Sequence, residues 1–316
     1  MSETHVVFGA AGSLGAAIVR RLSAEGRPVR AVVRDLGRAK QVLPGSAELV
    51  VGDALNSDNV RAFCKVAGTV YHCVNVPYRQ WLEVHPKVTK NILAAAIEAK
   101  ATLVFPGNVY GYGRFQRIPA AEDHPLGATT RKGRLRNELE AMLMDADRAG
   151  RIKVVIPRFT DFYGPNVINR LFAPIFEGAI TGKKARWIGK LEVPHDFVFI
   201  DDAAAASIML GRAEELPGQV WHVPGPGPLT GREFIEMAFK TAGTRPSVGV
   251  MGAGLILFAS LFSSDAREVR ELLYQFEQPM VLDGTKFARA FPRFTYTPRE
   301  ESIRKTLDWF RQRSKA

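Results

Sequence analysis

The sequence predicts an α/β fold: a doubly wound parallel sheet with a smaller mixed α/β lobe at the C-terminal side. Three observations carry this. Short β-branched runs alternate with helical patterns through the first half, the order that builds a parallel sheet covered on both faces. The first strand runs into a glycine-rich turn that opens a helix, Gly9-Ala-Ala-Gly12-Ser-Leu-Gly15. After Gly164-Pro165 the alternation becomes irregular, which marks a second lobe.

Strands are expected at His5–Phe8, Val29–Val33, Glu48–Val51, Thr69–Cys73, Thr102–Phe105 and Lys153–Pro157. Helical patterns fill the gaps at Leu14–Ala24, Arg38–Val42, Val60–Lys65, Val84–Ala99 and Gly133–Ala149. Beyond them Leu171–Thr181 reads as helix, His195–Ile200 as extended chain and Asp202–Gly211 as helix. Val220–Val223 is a short strand ending in Pro224-Gly-Pro-Gly-Pro228. Thr230 then caps a helix over Arg232–Ala242, and Glu233 three residues on completes a capping box. Residues 1–165 are expected to form the first domain, with 191–223 adding late elements, and 166–190 and 224–316 the second lobe.

A chain of 316 residues with 46% hydrophobic content can bury a large core. Its start runs almost directly into His5-Val6-Val7-Phe8, so export is not expected. Cys64 and Cys73 form no disulfide framework and no metal-ligand spacing, which suits a reducing cytoplasm. The net charge of +11 is spread along the chain. Such a diffuse excess suits an anionic small ligand and argues against a nucleic-acid groove, which needs a concentrated stripe. The apolar run Val250–Phe262 is too short and glycine-broken to span a bilayer. A buried or pocket-lining helix is expected there, with contact to a membrane surface as the alternative.

In a strand–turn–helix context, Gly9 permits the tight turn, Gly12 lets the backbone approach a pyrophosphate, and Gly15 allows close helix–strand packing. The pyrophosphate is expected on the helix N-terminus, against Ala11, Gly12, Ser13 and Leu14. The loop thus predicts a dinucleotide-binding Rossmann domain.

Together with motifs further along the chain, this spacing resembles extended short-chain dehydrogenases of the NAD-dependent epimerase/dehydratase type, over nearly the whole length. The resemblance rests on Val51-Gly-Asp53, Val70-Tyr-His-Cys73, Val109-Tyr-Gly111, the turn Pro157-Arg-Phe-Thr-Asp-Phe-Tyr-Gly-Pro165 and the segment His195-Asp-Phe-Val-Phe-Ile-Asp-Asp202. It implies that Asp53 and Ala54 meet the adenine, and that Asp161, His195 and Tyr112 lie toward the substrate. It also implies a homodimer paired through the helices at Val84–Ala99 and Gly133–Ala149. At the end of the second strand, NAD users place an acid for the ribose 2′-hydroxyl. Here Val33 holds that slot and Arg34 follows, with Arg38 nearby, so NADP is preferred and NAD is possible. Asp35 is the competing candidate to face the ribose.

The family's catalytic Tyr and Lys, with three residues between them, fall on Thr130 and Arg134, and its Ser on Pro106. Thr130 is a poor general acid, because its hydroxyl neither ionises nor protonates near neutrality. Arg134 is expected to keep the Lys role of binding ribose hydroxyls, and Asn108 to polarise a substrate carbonyl. The proton is assigned to Tyr78, with Tyr110, Tyr112, Tyr163 and water as alternatives, since Tyr78 follows the fourth strand at the ligand-binding edge.

The family's nucleotide-sugar enzymes grip a diphosphate with an Arg where His195 stands. That substitution, with Phe172, Phe176, Trp187, Phe197 and the Val250–Phe262 run, points to an apolar ligand, and the core of the second lobe is the alternative for those apolar residues. The expected function is an NADPH-dependent reductase of a small, rather apolar carbonyl or enone. The alternatives are a sugar epimerase or dehydratase with a replaced acid/base, and a non-catalytic NADP-binding sensor.

Overall fold

The computed structural model describes residues 3–169, 171–213, 215–216 and 218–314. Strand β1 (Thr4–Phe8) leads to α1 (Ser13–Ala24), β2 (Val29–Val33), α2 (Leu36–Val42) and β3 (Glu48–Val51). Next come α3 (Ser57–Cys64), β4 (Ala67–His72), a 3₁₀ turn at Tyr78–Gln80, α4 (Trp81–Glu98) and β5 (Thr102–Val104). The short β6 (Gly107–Asn108), α5 (Arg131–Arg148), β7 (Lys153–Phe159) and β8 (Asp161–Tyr163) come after these. Then come α6 (Ala173–Thr181), β9 (Ala185–Ile188), β10 (Pro194–His195), β11 (Phe197–Phe199), α7 (Ile200–Arg212) and β12 (Gln219–His222). The chain closes with β13 (Leu229–Thr230), α8 (Gly231–Ala242), β14 (Val248–Met251), α9 (Ala253–Phe262), α10 (Ser264–Leu272), α11 (Thr285–Ala290) and α12 (Arg299–Arg313). The expected strands and helices of the first half are all present, with ends moved by a few residues.

Contacts divide the chain into two compact units: residues 1–111, 131–159 and 203–221, and residues 112–130, 160–202 and 222–316. The first unit holds the main sheet, in the order β12-β7-β5-β4-β1-β2-β3. The pairs from β7 to β3 are parallel, as the β-branched runs predict. The order reverses direction beside β1, so the ends of β1 and β4 flank a topological switch point. Apolar side chains from α3, α4 and α5, among them Val60, Ile92, Leu139 and Leu143, fill the layer on one sheet face. Burying such stripes is what makes these helices stable, more than propensity alone.

The second unit is held by an aromatic core. Phe172, Phe176, Trp187, Phe197 and Phe234 are buried together with Tyr163 and Phe310. Phe197 and Phe234 stack at 4.3 Å, and Phe172 meets Phe197 edge-on at 5.7 Å. These rings therefore close a core, so of the two readings of Phe172, Phe176, Trp187 and Phe197 the core holds and the ligand-lining role is corrected. Their mutual contacts remove the surface a ligand would need. Thr230 caps α8, and the capping box with Glu233 is present in both directions.

The Val250–Phe262 run is also corrected. Gly252 separates β14 from α9, and most described side chains of α9 face solvent. No helix among the described residues is long and apolar enough to cross a membrane.

Candidate functional site

The first unit builds a dinucleotide cradle from backbone geometry. Gly9 sits at φ +73°, and a Cβ there would meet the Cys73 carbonyl oxygen at 2.4 Å. A Cβ on Gly15 would meet the Gly9 oxygen at 2.3 Å. Both positions therefore exclude any side chain, and α1 approaches the turn closely because they do. Gly12 is the N-cap of α1 and brings no side-chain cap. The ledge over Ala11, Gly12 and Ser13 is shaped for an anion on the positive end of the helix. The residues present thus fit a dinucleotide pyrophosphate.

Arg34 and Arg38 are exposed just past β2. Asp35 is occupied differently: it is the N-cap of α2, and its Oδ1 accepts the Arg38 backbone N–H at 3.0 Å. Past β3, the Asp53 Oδ1 accepts the Leu55 N–H at 3.0 Å. The Asn91 amide on α4 donates to the carbonyls of Ala54 and Leu55, both at 3.0 Å. This loop is therefore fixed from beneath by α4.

A second cluster gathers in the same unit beyond β4 and β5. The Tyr78 and Tyr110 hydroxyls are 2.9 Å apart. Trp81 meets Tyr78 edge-on at 5.1 Å and stacks on Tyr110 at 5.9 Å, while its indole N–H donates to the Val76 carbonyl. Above the Tyr78 ring, 5.1 Å from its centroid, lies the Lys132 ammonium. Asn108 accepts the Tyr110 N–H on Oδ1 at 3.1 Å, so the group it offers a carbonyl is its Nδ2 amide. The buried His72 and His85 are held below the ordinary imidazole range by burial, His85 at about 4, and are not proton donors near neutrality.

Helix α5 faces differently from the sequence expectation. Lys132, Gly133, Leu135, Arg136, Leu139, Glu140 and Leu143 are its buried residues, and Arg134 is exposed. A two-residue offset turns a helix position by about 200°, so Thr130 and Arg134 do not share the inward stripe that Lys132 and Arg136 share. Thr130 instead falls in the second unit, lining a cavity of ≈ 270 Å³ with Arg114, Arg270 and Tyr274. Arg136 donates to the Pro106 carbonyl at 2.8 Å, and its guanidinium lies 4.5 Å over the Phe105 ring. Deeper on the same stripe, Glu140 pairs with Arg158. Motif alignment along the sequence passes over Lys132 and Arg136. From Leu143 and Leu139, a step back along the helix of three residues and then of four lands on Arg136 and then Lys132.

In the second unit, Asp161 and His195 are brought together, with His195 Nε2 2.7 Å from Asp161 Oδ2. His195 is buried and stacks flat on Phe276 at 5.4 Å. Asp196 accepts the Leu282 N–H at 2.8 Å, and burial pushes its carboxyl up to about 7. Tyr112 is buried with its hydroxyl 2.6 Å from His222 Nε2, and Tyr163 bonds Ser302 at 2.6 Å in the core. Neither tyrosine presents its hydroxyl to solvent. Among the described residues no group of acidic, His and Cys side chains is arranged to hold a metal.

Residues 5–223 match the model of the NAD dependent epimerase/dehydratase family. A UDP-N-acetyl-alpha-D-glucosaminuronate decarboxylase of Bacillus cytotoxicus is 19% identical, over 99% of both chains. A 4-hydroxy-2-methyl-3-oxo-4-farnesyl-3,4-dihydroquinoline-1-oxide ketoreductase of Stigmatella aurantiaca is 25% identical, over 77% of this chain and 74% of that protein. Among solved structures, the dTDP-glucose 4,6-dehydratase of Bacillus anthracis in complex with NAD superposes with a TM-score of 0.82. It is 15% identical, over 99% of this chain and 98% of that one. The UDP-glucuronic acid 4-epimerase of Bacillus cereus in complex with NAD gives 0.79 at 18% identity, over 98% and 99%. Strand order, glycine cradle and family match agree: the chain belongs to the NAD dependent epimerase/dehydratase family, enzymes of the oxidoreductase and epimerase kind that use a nicotinamide dinucleotide.

Proposed function

We propose that this chain is an NADPH-dependent reductase of a small, rather apolar carbonyl or enone, in which Tyr78 supplies the proton. The observation that carries the reading is the Tyr78–Tyr110 hydroxyl pair with the Lys132 ammonium over the Tyr78 ring. A phenol beside a fixed cation can release a proton, because the cation stabilises the phenolate left behind. In this proposal Lys132 and Arg136 are the charged groups on the inward stripe of α5, and the proton donor is in the loop after β4.

Gly9, Gly12 and Gly15, with the backbone of Ala11, Ser13 and Leu14, would hold the pyrophosphate, and Asp53 and Ala54 the adenine end. Arg34 and Arg38 would hold a 2′-phosphate, while Asp35 turns its Oδ1 to the N-terminus of α2. The chemistry a bound reduced nicotinamide supplies is a hydride for the substrate carbon, with oxidation of the cofactor as the carbonyl becomes an alcohol. Asn108 would hold the substrate oxygen through Nδ2 while Tyr78 delivers the proton to it. The proton on Tyr78 is renewed through Tyr110 and solvent.

Two features favour a carbonyl reductase over a nucleotide-sugar epimerase. His195, buried and tied to Asp161, is not placed as a cation to grip a diphosphate. The ketoreductase relative is named for a 3-oxo compound that carries a farnesyl group. Pairing of two copies through α4 and α5 belongs to the same proposal and is read by sedimentation.

The test is NADPH oxidation by the purified chain with aldehydes, ketones, enones and quinones, beside a tritium-exchange assay on nucleotide sugars. Turnover with carbonyls that falls sharply in Tyr78→Phe supports the proposal. Exchange at a sugar carbon without net NADPH loss overturns it in favour of an epimerase. Cofactor binding with no turnover on any class overturns it in favour of a sensor.

A further inference from the structure

Helix α9 carries apolar side chains all round, an arrangement that normally marks a helix buried on every side. Here, among the described residues, one side is covered and the other exposed. Ile256 packs into a small cluster with Ile188 and Leu273, and Ser260 is buried beside it, its hydroxyl donating to the Leu257 carbonyl. On the other side Leu255, Leu257, Phe258, Leu261 and Phe262 are 57%, 53%, 62%, 65% and 79% exposed. At 100° per residue these five sweep an arc of about 160°, unbroken by any charged residue. Phe258 and Phe262 touch edge-on at 5.4 Å and form one ridge. A contiguous exposed apolar patch of this kind marks an interaction surface.

Length decides how it is used. Ten residues of helix span about 15 Å, half of a hydrocarbon core of about 30 Å, so α9 can lie in a bilayer surface and not cross it. Charge decides the partner. Strand β9 pairs with β14, which leads into α9, and carries Arg186 just after Lys183 and Lys184, all three exposed. The Lys184 stem lies against Gly249 of β14. Helix α10 packs on α9 and exposes Arg267 and Arg270, while Glu268 and Glu271 are half-buried. Arg270 reaches the Ser260 hydroxyl at 3.3 Å. In a two-fold pairing of α9 with a second copy, the patch would meet itself, and its flanking cations would face their own kind. An anionic lipid surface satisfies the apolar ridge and the cations together.

We propose that α9 is a monotopic membrane-docking element, inserting Leu257, Phe258, Leu261 and Phe262 among acyl chains while Lys183, Lys184, Arg186 and Arg267 meet anionic headgroups. Docking through α9 does not depend on the proposed reaction.

The test is co-flotation of the full chain with vesicles of phosphatidylcholine alone or with roughly one-third phosphatidylglycerol. Flotation with the anionic vesicles, weakened by salt, is expected. The Phe258→Glu/Phe262→Glu variant should lose it by about tenfold or more, and Lys183→Glu/Lys184→Glu should lose it on anionic vesicles. Near-ultraviolet circular dichroism checks that both variants keep the native aromatic core. Failure of the wild-type chain to float, or flotation indifferent to both variants, overturns the proposal. So does a wild-type chain that stays off vesicles but forms an oligomer which the phenylalanine variant splits in sedimentation, since the covering partner is then a second copy.

Discussion

The Tyr78 hydroxyl lies 2.9 Å from that of Tyr110, joining the loop after β4 to the segment after β5. The pair gives the site a phenol that is both held and connected. Tyr78→Phe should lower kcat by about 10²- to 10⁴-fold, the usual worth of a positioned general acid, with little change in KM. Tyr110→Phe removes the relay and not the donor, so its loss should be smaller. Steady-state kinetics on the best carbonyl substrate reads both. Equal losses in the two variants would count against Tyr78 as the donor.

Lys132 acts in this scheme through Tyr78, as a positioning and electrostatic residue. Its side chain is 2% exposed and its ammonium lies over the phenol ring. Reduction needs Tyr78 protonated, and a cation favours the phenolate. Removing the charge in Lys132→Met should therefore move the alkaline limb of the kcat/KM profile to higher pH while lowering the maximum rate. Lys132→Arg should restore much of the wild-type limb. A profile that does not move would assign Lys132 to packing alone.

Arg34 stands at the end of β2 with Asp35 turned into the α2 cap. Arg34→Ala should weaken NADPH binding by about tenfold, on the scale of one charge-assisted contact, and leave NADH almost unchanged. Fluorescence titration with the two cofactors reads the ratio. Tighter binding of NADH than NADPH by the wild-type chain would remove the NADP assignment.

Much of the fold is legible in the residues themselves. Alternating β-branched runs specify the parallel sheet, because strands buried on both faces demand such residues. Gly9 and Gly15 announce the cradle because no side chain fits there. The Thr230–Glu233 box is readable from spacing alone. What spacing does not carry is rotational phase and environment. On α5 the motif alignment places Thr130 and Arg134 in the key slots, although the apolar stripe already points to Lys132 and Arg136. In the second unit, Phe172, Phe176, Phe197 and Trp187 read equally well as pocket or core, since composition does not say which rings meet each other. For α9, apolar content implies burial, and only the fold reveals that one face of it is exposed.

The cradle itself yields a stringent test. A Cβ on Gly15 would sit 2.3 Å from the Gly9 carbonyl oxygen, which is backbone and cannot swing aside. Gly15→Ala must push α1 away from β1. Cofactor affinity should drop by at least about tenfold and stability by about 1–3 kcal/mol, the usual cost of overpacking. Gly26→Ala is the control: it too has positive φ, but a Cβ there meets nothing within 4 Å. It should cost stability without touching cofactor affinity.

Asp196 makes the stability of the second unit depend on pH. Burial raises its carboxyl from the ordinary 3.8 to about 7, against the opposing pull of the Leu282 N–H and the charges of His195 and Arg299. The folded state therefore holds this proton more tightly than the unfolded chain does. Below about pH 4 the carboxyl is neutral in both states and exacts no penalty. As pH climbs from there through about 7, the unfolded chain ionises first, and stability declines until the folded carboxyl ionises too. Asp196→Asn keeps an oxygen for the Leu282 N–H and removes the charge. Asp202, also raised by burial, declines alike in both proteins, so the difference between them isolates Asp196. Urea midpoints measured at about pH 5 and about pH 8 should show the variant gaining on the wild-type chain at the higher value. A gap that stays constant, or that closes as pH rises, would mean the buried carboxylate is stabilised by more than these groups.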